Sequence, residues 1–261
     1  MSEYKEVFER TEIKYLLNIS RYDELMPYLE TIARVDVYGL SKINNIYYDT
    51  PDYRLIRRSL DKPLYKEKLR LRTYGDTSDD SNAFIEIKKK YDGIVYKRRI
   101  SGRYKQAYDY LMGQAASIDD SQVGREIISF IDMYKGLRPA MVISYDRIAM
   151  AGIEDPDFRV TFDSNIRWSI AKMDLRVPNS GKEILSPGQS LMEIKAANAL
   201  PLGLARKLSE LGIFPVSFSK YGRGYTEMIS RNPKKMAGYG ELIDYAGYKD
   251  SVNRKGVVNY V

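Results

Sequence analysis

The sequence predicts an α+β fold in which antiparallel strands close into a barrel with a charged interior, and helices pack on the outside. Three observations predict it. Run after run alternates charged and apolar residues with a period of two, as in KLRLR at 68–72, so each strand has one polar and one apolar face. Asp92-Gly93 joins two such runs, a strong signal for a two-residue antiparallel hairpin. Helical stretches between and after the strands supply cover for the apolar face.

The first strand runs over 8–17 (FERTEIKYLL), and a helix N-capped by Ser20 follows through RYDELMPYLETIA. NNIYYDT (44–50) is the next strand. Asp49 caps the turn before Pro51, and Pro51 opens a short helix or turn, PDYRLIRRSL. Three strands come next, YKEKLRLRTY (65–74), AFIEIKKKY (83–91) and IVYKRRIS (94–101). A helical stretch covers 103–135 with a break near SIDDSQ. Strands return at 139–150, 158–170 and 191–197; Pro201 then opens a helix, and SFSKYGRGYTEMI leads into another. The loop-like stretches 75–82 and 177–190 read as hairpin connections, so one domain is expected over 1–261. Its core spans 8–230, and no pattern places the tail from 232.

The alternation carries the chemistry. Arg10, Glu12 and Lys14 share a face, as do Lys66, Lys68, Arg70 and Arg72. Glu86, Lys88 and Lys90 share another, followed by Lys97 with Arg99 and Tyr145 with Arg147. Arg159, Thr161 and Asp163 oppose Val160 and Phe162, and Glu193 and Lys195 oppose Met192 and Ile194. One such face is what any antiparallel sheet shows to water. About seven strands carrying Arg or Lys this way, with isolated glutamates among them, describe a cationic lumen once the sheet closes. Unpaired buried charge is costly, so the lumen must be wet or filled by a polyanion. Phosphate chains fit, since Arg presents a planar fork and Lys a point charge to phosphate oxygens. The inward glutamates would hold the divalent ion of phosphoryl transfer.

Composition narrows the chemistry further. The 261 residues include no Cys and no His. That excludes thiolate sites, disulfides, Ser-His-Asp triads and phosphohistidine intermediates. Any metal must sit on oxygen donors, which favours Mg²⁺ or Mn²⁺. The net charge of +7 suits an anionic partner. The charged N-terminus lacks the apolar run of a signal peptide, and no apolar stretch approaches the roughly 20 residues of a membrane span. A cytoplasmic protein is expected.

RTEIKY, NNIYYDT, KLRLRTY, FIEIKKKYDGIVYKRR, ISYDR, FRVTFD, LMEIK and SFSKY occur in an order that resembles the VTC domain. That domain is the polyphosphate polymerase branch of the triphosphate tunnel metalloenzyme (CYTH-like) superfamily. The resemblance covers residues 8–230 and implies an eight-stranded antiparallel tunnel barrel. It implies transfer of the γ-phosphate of ATP to a growing inorganic polyphosphate chain with a divalent metal, Mn²⁺ or Mg²⁺. Carried over by motif, Lys14, Arg70, Arg72, Lys88 and Arg147 are the expected catalytic residues. Arg10, Lys68, Lys97, Arg99, Arg159, Lys195, Ser219 and Lys220 are the expected phosphate ligands. Glu193 is the expected metal ligand, with Glu12 and Glu86 as candidates for a further one or as ion-pair partners of the cations.

Arg10 departs from the triphosphatase branch, which opens with two alternating glutamates and a lysine; fewer carboxylates suit retention of long chains. The competing readings are a tunnel triphosphatase and a non-enzymatic polyanion binder. Nucleic acid is not expected as a partner; a membrane-protein partner and the oligomeric state stay open. Lys66, Lys90 and the NPKK turn at 232–235 are expected in water, and Trp168 in the core.

Overall fold

A computed structural model describes residues 11–231 apart from 93, 116, 117 and 198; Arg10 and the tail from 232 lie outside the described residues. The strands are β1 (Thr11–Leu17), β2 (Ala33–Asp49), β3 (Tyr65–Tyr74), β4 (Asn82–Tyr91) and β5 (Ile94–Arg103) in the first half. β6 (Arg138–Gly152), β7 (Arg159–Ser169), β8 (Lys182–Glu183) and β9 (Ser190–Ala196) follow. The helices are α1 (Ile19–Ile32), α2 (Arg54–Leu60), α3 (Tyr104–Leu111), α4 (Gln122–Met133), α5 (Leu202–Glu210) and α6 (Lys220–Arg231).

All strands join one antiparallel sheet in the order β1-β9-β7-β6-β2-β3-β4-β5, with the short β8 added to β7. The terminal strands β1 and β5 do not pair among the described residues, so backbone hydrogen bonds do not close the barrel. Side chains bridge the gap instead. Lys88 on β4 donates to both carboxylate oxygens of Glu12 on β1, at 3.3 and 3.2 Å. Register fixes the faces: Tyr91 pairs with Ile94, which sends Lys88, Lys97 and Glu86 to the concave side together.

The apolar faces turn outward under the helices. Leu69, Leu71, Ile85 and Ile87 are buried beneath α3 and α4 with Ile127, Phe130 and Ile131. Tyr15, Val160, Phe162, Met192 and Ile194 are buried beneath α1 and α5 with Leu25, Leu29, Leu204 and Leu208. Truncating any of these aliphatic residues to Ala is worth about 2–5 kcal/mol. A third cluster lies on the concave side, where Tyr47, Met141, Tyr145 and Leu191 meet Phe218, Tyr221 and Tyr225. There α6 enters one end of the tunnel. A Cβ at Gly224 would stand 2.6 Å from Met141 Sδ and 3.2 Å from Trp168, so glycine permits that approach.

Three element boundaries differ from the sequence reading. Asn18, not Ser20, caps α1, because its side chain accepts the Arg21 amide at 2.9 Å. β2 begins at Ala33, well before NNIYYDT, because its largely exposed first half pairs with β6 around a bulge between Val35 and Leu40. α2 starts at Arg54 because Tyr53 has φ of +58° and cannot be helical. Asp49, expected to cap the turn before Pro51, accepts the Thr50 amide at 2.9 Å and also the Leu55 and Ile56 amides of α2 at 2.8 and 3.0 Å. Asp49 also accepts from Tyr221 Oη at 2.8 Å, which ties α2 to α6. Burial raises the pKa of its carboxyl. Trp168 is in the core, with Nε1 donating to Glu227 at 2.8 Å.

Candidate functional site

The concave face gathers most of the expected ligands. On β3, Lys68, Arg70 and Arg72 point inward in sequence, opposite Lys88, Glu86 and Phe84 of β4. Glu86 in turn lies opposite Arg99, and Lys88 opposite Lys97 of β5. Three lysines (68, 88 and 97) therefore stand in one row across three strands. Like charges directly opposite one another destabilise a sheet, so each needs a compensating anion.

Carboxylates supply part of it. Glu86 is 1% exposed and accepts from Arg70 Nε at 2.7 Å. Arg72 Nε lies 3.7 Å from the same oxygen, and Lys97 pairs with the other. Burial alone would raise the Glu86 carboxyl, but Arg70, Arg72 and Lys97 outweigh it and hold the pKa at about 2. Arg147 donates to Asp163 through Nε and Nη2 at 2.5 and 2.7 Å, and Lys220 of α6 donates to Asp163 at 2.5 Å. The Asp163 carboxyl stays below its usual pKa despite burial, held there by Lys220 and Arg147.

Lys68 is different. Its Nζ donates to Ser219 Oγ at 2.9 Å, and no carboxylate lies within ion-pair distance among the described residues. Burial, with Lys14, Lys88 and Lys66 nearby, lowers its pKa to about 8; Tyr47 opposes them. Ser219 is brought there by α6, whose first turn it caps by accepting the Gly222 amide at 3.1 Å. Lys14 donates to the Phe218 carbonyl at 3.1 Å, on the chain leading into the same helix. Ser219 and Lys220 thus reach the strand cations from the opposite side of the lumen.

Glu12 and Glu193 form the carboxylate pair at the β1–β9 junction. Lys14 is the cross-strand partner of Glu193, and Glu12 that of Lys195. Lys195 Nζ lies 3.0 Å from Glu193, and Lys14 lies 3.4 Å from Glu12 and 3.8 Å from Glu193. Burial would raise both carboxyls, but Lys88 and Lys14 at Glu12, and Lys195 and Lys14 at Glu193, bring both below the usual range. The charge of Glu193 opposes the lowering at Glu12. No cluster of three or more acidic residues forms among the described residues. Two neighbouring hard oxygen donors fit a divalent ion that completes its shell with phosphate oxygens and water. Glu86, saturated by three cations, does not fit that role.

Some expected ligands lie at the rim. Arg99 is exposed and sits over the Phe84 ring at 4.9 Å. Arg159 is exposed at the mouth, 3.0 Å from Asp36. Lys66, expected in water, is half-buried, with Nζ 3.5 Å from the Ser59 carbonyl; its inward position beneath α2 explains the difference. Burial, then Lys90, Lys62 and Lys14, lowers its pKa.

Tyr47, Tyr145 and Asn45 carry no charge to mark them as site residues in the sequence, yet all three orient the arginines. Arg70 Nη1 donates to Tyr47 Oη at 3.3 Å, Arg72 Nε to Asn45 Oδ1 at 2.8 Å, and Arg72 Nη2 to Tyr145 Oη at 3.2 Å. Burial would raise the Tyr47 phenol, yet Arg70, Lys68 and Arg72 bring it down to about 8. Asp163 was legible from its place in the alternation beside Arg159; the neutral Asn45 and Tyr47 carried no charge to mark their face.

An antiparallel sheet curled around a cationic concave face, with helices on its outer side, is a tunnel-type fold of the CYTH-like kind. The family model described as the VTC domain matches residues 9–229, and the chain belongs to that family. Over 188 residues it is 25% identical to vacuolar transporter chaperone complex subunit 4 of Schizosaccharomyces pombe. That match covers 61% of this chain and 26% of the relative, so the chain spans about a quarter of that protein's length. A candidate adenylate cyclase from Bacillus halodurans shares the fold, with a TM-score of 0.52 at 14% identity, covering 85% of this chain and 95% of that one. So does a candidate adenylyl cyclase from Hippeastrum with a dominant triphosphatase activity, with a TM-score of 0.50 at 14% identity, covering 83% and 96%. No helix among the described residues is long and apolar enough to cross a membrane.

Proposed function

We infer that the protein is a polyphosphate polymerase, transferring the γ-phosphate of ATP to the end of an inorganic phosphate chain held in the tunnel. The observation that carries this reading is the excess of cations over carboxylates along the concave face, centred on Lys68. Among the described residues each inner carboxylate there is already engaged, and none lies within ion-pair distance of Lys68. Membership of the VTC domain family supports the same reading.

Phosphoryl transfer needs positioning and charge neutralisation more than covalent chemistry from the protein. Lys14, Arg70, Arg72, Lys88 and Arg147 would bind the triphosphate and align its γ-phosphorus with the terminal oxygen of the acceptor chain. The bond from that phosphorus to the β–γ bridging oxygen breaks as the new P–O bond forms, and ADP leaves with the bridging oxygen. Cations beside that oxygen stabilise the charge that develops there. Lys68, Lys97, Lys195, Ser219 and Lys220 would hold the remaining phosphates, with Arg99 and Arg159 at the rim. Glu193, with Glu12, would hold Mn²⁺ or Mg²⁺, which supplies further neutralisation of phosphate oxygens. No protein nucleophile is required, in keeping with the absence of His and Cys.

The test is incubation with ATP and Mn²⁺, with products separated on a gel. Long phosphate chains and ADP are expected. Free phosphate without chains would assign hydrolysis instead, and no turnover with any divalent metal would assign a binding protein.

A further inference from the structure

Outside the tunnel, two cavities of about 600 and 410 Å³ share Met133 and Tyr134 and so form one groove along α2 and α4. Its lining includes Arg54 and Lys135 in the first cavity and Arg58, Lys89 and Arg125 in the second. The acids along it are engaged. Glu67, buried on the outer face of β3, accepts from Tyr65 Oη at 2.7 Å and from Tyr134 Oη. Asp52 pairs with Arg57 at 3.3 Å, and Glu126 lies 3.7 Å from Arg98. Among the described residues, no carboxylate lies within ion-pair distance of Arg54, Arg58, Lys89 or Lys135.

The groove starts where the tunnel ends. Lys66 and Lys90 are direct cross-strand partners at that mouth, again without an acid in reach among the described residues. Lys66 Nζ touches the carbonyl of Ser59, next to Arg58. Strand alternation places Lys88 inside, Lys89 outside and Lys90 inside. Lysines therefore occupy three successive positions from the lumen across the rim to the outer surface, where Lys89 faces Glu67, whose carboxylate is committed to Tyr65 and Tyr134. A directly opposed, uncompensated lysine pair is a local cost to the sheet, and a polyanion lying over it would relieve that cost.

We propose that this groove binds the part of an inorganic phosphate chain that lies outside the tunnel, passing over Lys66 and Lys90 and held by Arg58 and Lys89. The proposal rests on the polymerase reading of the tunnel. A single nucleic-acid strand would call for exposed aromatic faces on which bases stack. Phe130 and Tyr134 of this groove are buried, and both tyrosine hydroxyls of the second cavity are committed to Glu67. A phosphate chain needs only the charge.

The test compares the wild type with the double variant Arg58→Gln, Lys89→Gln, whose two sites lie outside the lumen. Titration calorimetry uses tripolyphosphate, short enough for the tunnel alone, and a chain of roughly 60 phosphates that can engage both sites. The variant should bind tripolyphosphate as the wild type does and lose about tenfold in affinity for the long chain. Its plot of log affinity against log salt should flatten by roughly 1.4, the loss of two phosphate contacts. Unchanged long-chain affinity would overturn the proposal. So would single-stranded RNA of equal length that binds as tightly as polyphosphate with the same loss in the variant. Failure of tripolyphosphate to bind the wild type would overturn the tunnel reading in a separate arm, whatever the double variant does.

Discussion

Arg70 Nε donates to the Glu86 carboxylate at 2.7 Å from the directly opposite position on the neighbouring strand. Glu86 also pairs with Lys97 from the other side, so one buried acid steadies cations of β3 and β5. The arrangement leaves the Arg70 Nη atoms for other partners, one of them already directed to Tyr47. The same logic recurs at Asp163, which orients Arg147 and Lys220 together. Inner carboxylates of this tunnel therefore act as orienters of cations, Glu12 and Glu193 included, since Lys88 meets Glu12 and Lys195 meets Glu193.

Glu86→Gln should destabilise the empty protein by about 3–5 kcal/mol, because three cations lose a buried partner. Its carboxyl titrates near 2 in the folded chain against 4.5 ordinarily. That depressed value contributes about 3 kcal/mol of stability above pH 4.5, which is lost as pH falls towards 2. The variant should therefore show a flatter stability profile between pH 4.5 and 2 than the wild type. Tripolyphosphate should restore much of its lost melting temperature. Chemical denaturation across pH, with and without tripolyphosphate, reads both effects; a wild-type profile in the variant would sink the argument.

Phosphate binding should weaken above pH 8. Lys68 loses its proton near that value, and Tyr47 gains a negative charge near it, so both changes make the lumen less cationic. Each group should contribute a slope approaching one log unit of affinity per pH unit above its pKa. Tyr47→Phe should remove one contribution and Lys68→Arg the other. Calorimetry of tripolyphosphate from pH 7 to 9.5 measures this, and differences between variants cancel the ligand's own ionisation. Identical slopes in all three proteins would show that neither group titrates in the site.

The period-two alternation made the cationic face legible in the sequence, because a strand exposes its faces to inspection wherever one carries charge. KLRLR and EIKKK placed Lys68, Arg70, Arg72, Glu86 and Lys88 correctly on one surface. The alternation could not say which inward cations reach the centre. Arg159 and Lys68 obey the same pattern, yet Arg159 ends beside Asp36 at the mouth while Lys68 meets Ser219 inside. That distinction depends on strand stagger around the curled sheet. Tyr47 was hidden because NNIYYD has no charged residue until Asp49. The first half of β2 escapes the pattern for a related reason: the short alternation Arg34-Val35-Asp36-Val37 breaks at Tyr38-Gly39, and β6 supplies the pairing on either side of a bulge.

Glu193→Gln should separate binding from turnover. The substitution removes a negative charge that now holds Lys195 at 3.0 Å and Lys14 at 3.8 Å. Those lysines become available to phosphate, so tripolyphosphate should bind as tightly as to the wild type, or more tightly. Turnover with ATP and Mn²⁺ should be lost, because the carboxylate pair with Glu12 is broken. Turnover that persists at the wild-type rate would remove Glu193 from the metal-holding role.

Two arginines on the same face provide the sharpest comparison. Arg70 is held between Glu86 and Tyr47, largely shielded from solvent, with its guanidinium favoured in the charged form despite burial. Arg159 lies exposed at the mouth, and its Nη2 already meets Asp36. Removing a fixed donor from a site that stabilises developing phosphate charge typically costs on the order of a hundredfold or more in turnover. An exposed, paired charge contributes at most about 1 kcal/mol. Arg70→Ala should therefore lose at least about a hundredfold in turnover, while Arg159→Ala should change it by less than about fivefold. Steady-state ADP release measures both. If the two variants lose turnover equally, depth in the tunnel does not decide function, and the centre of the site must be sought nearer the Arg159 mouth.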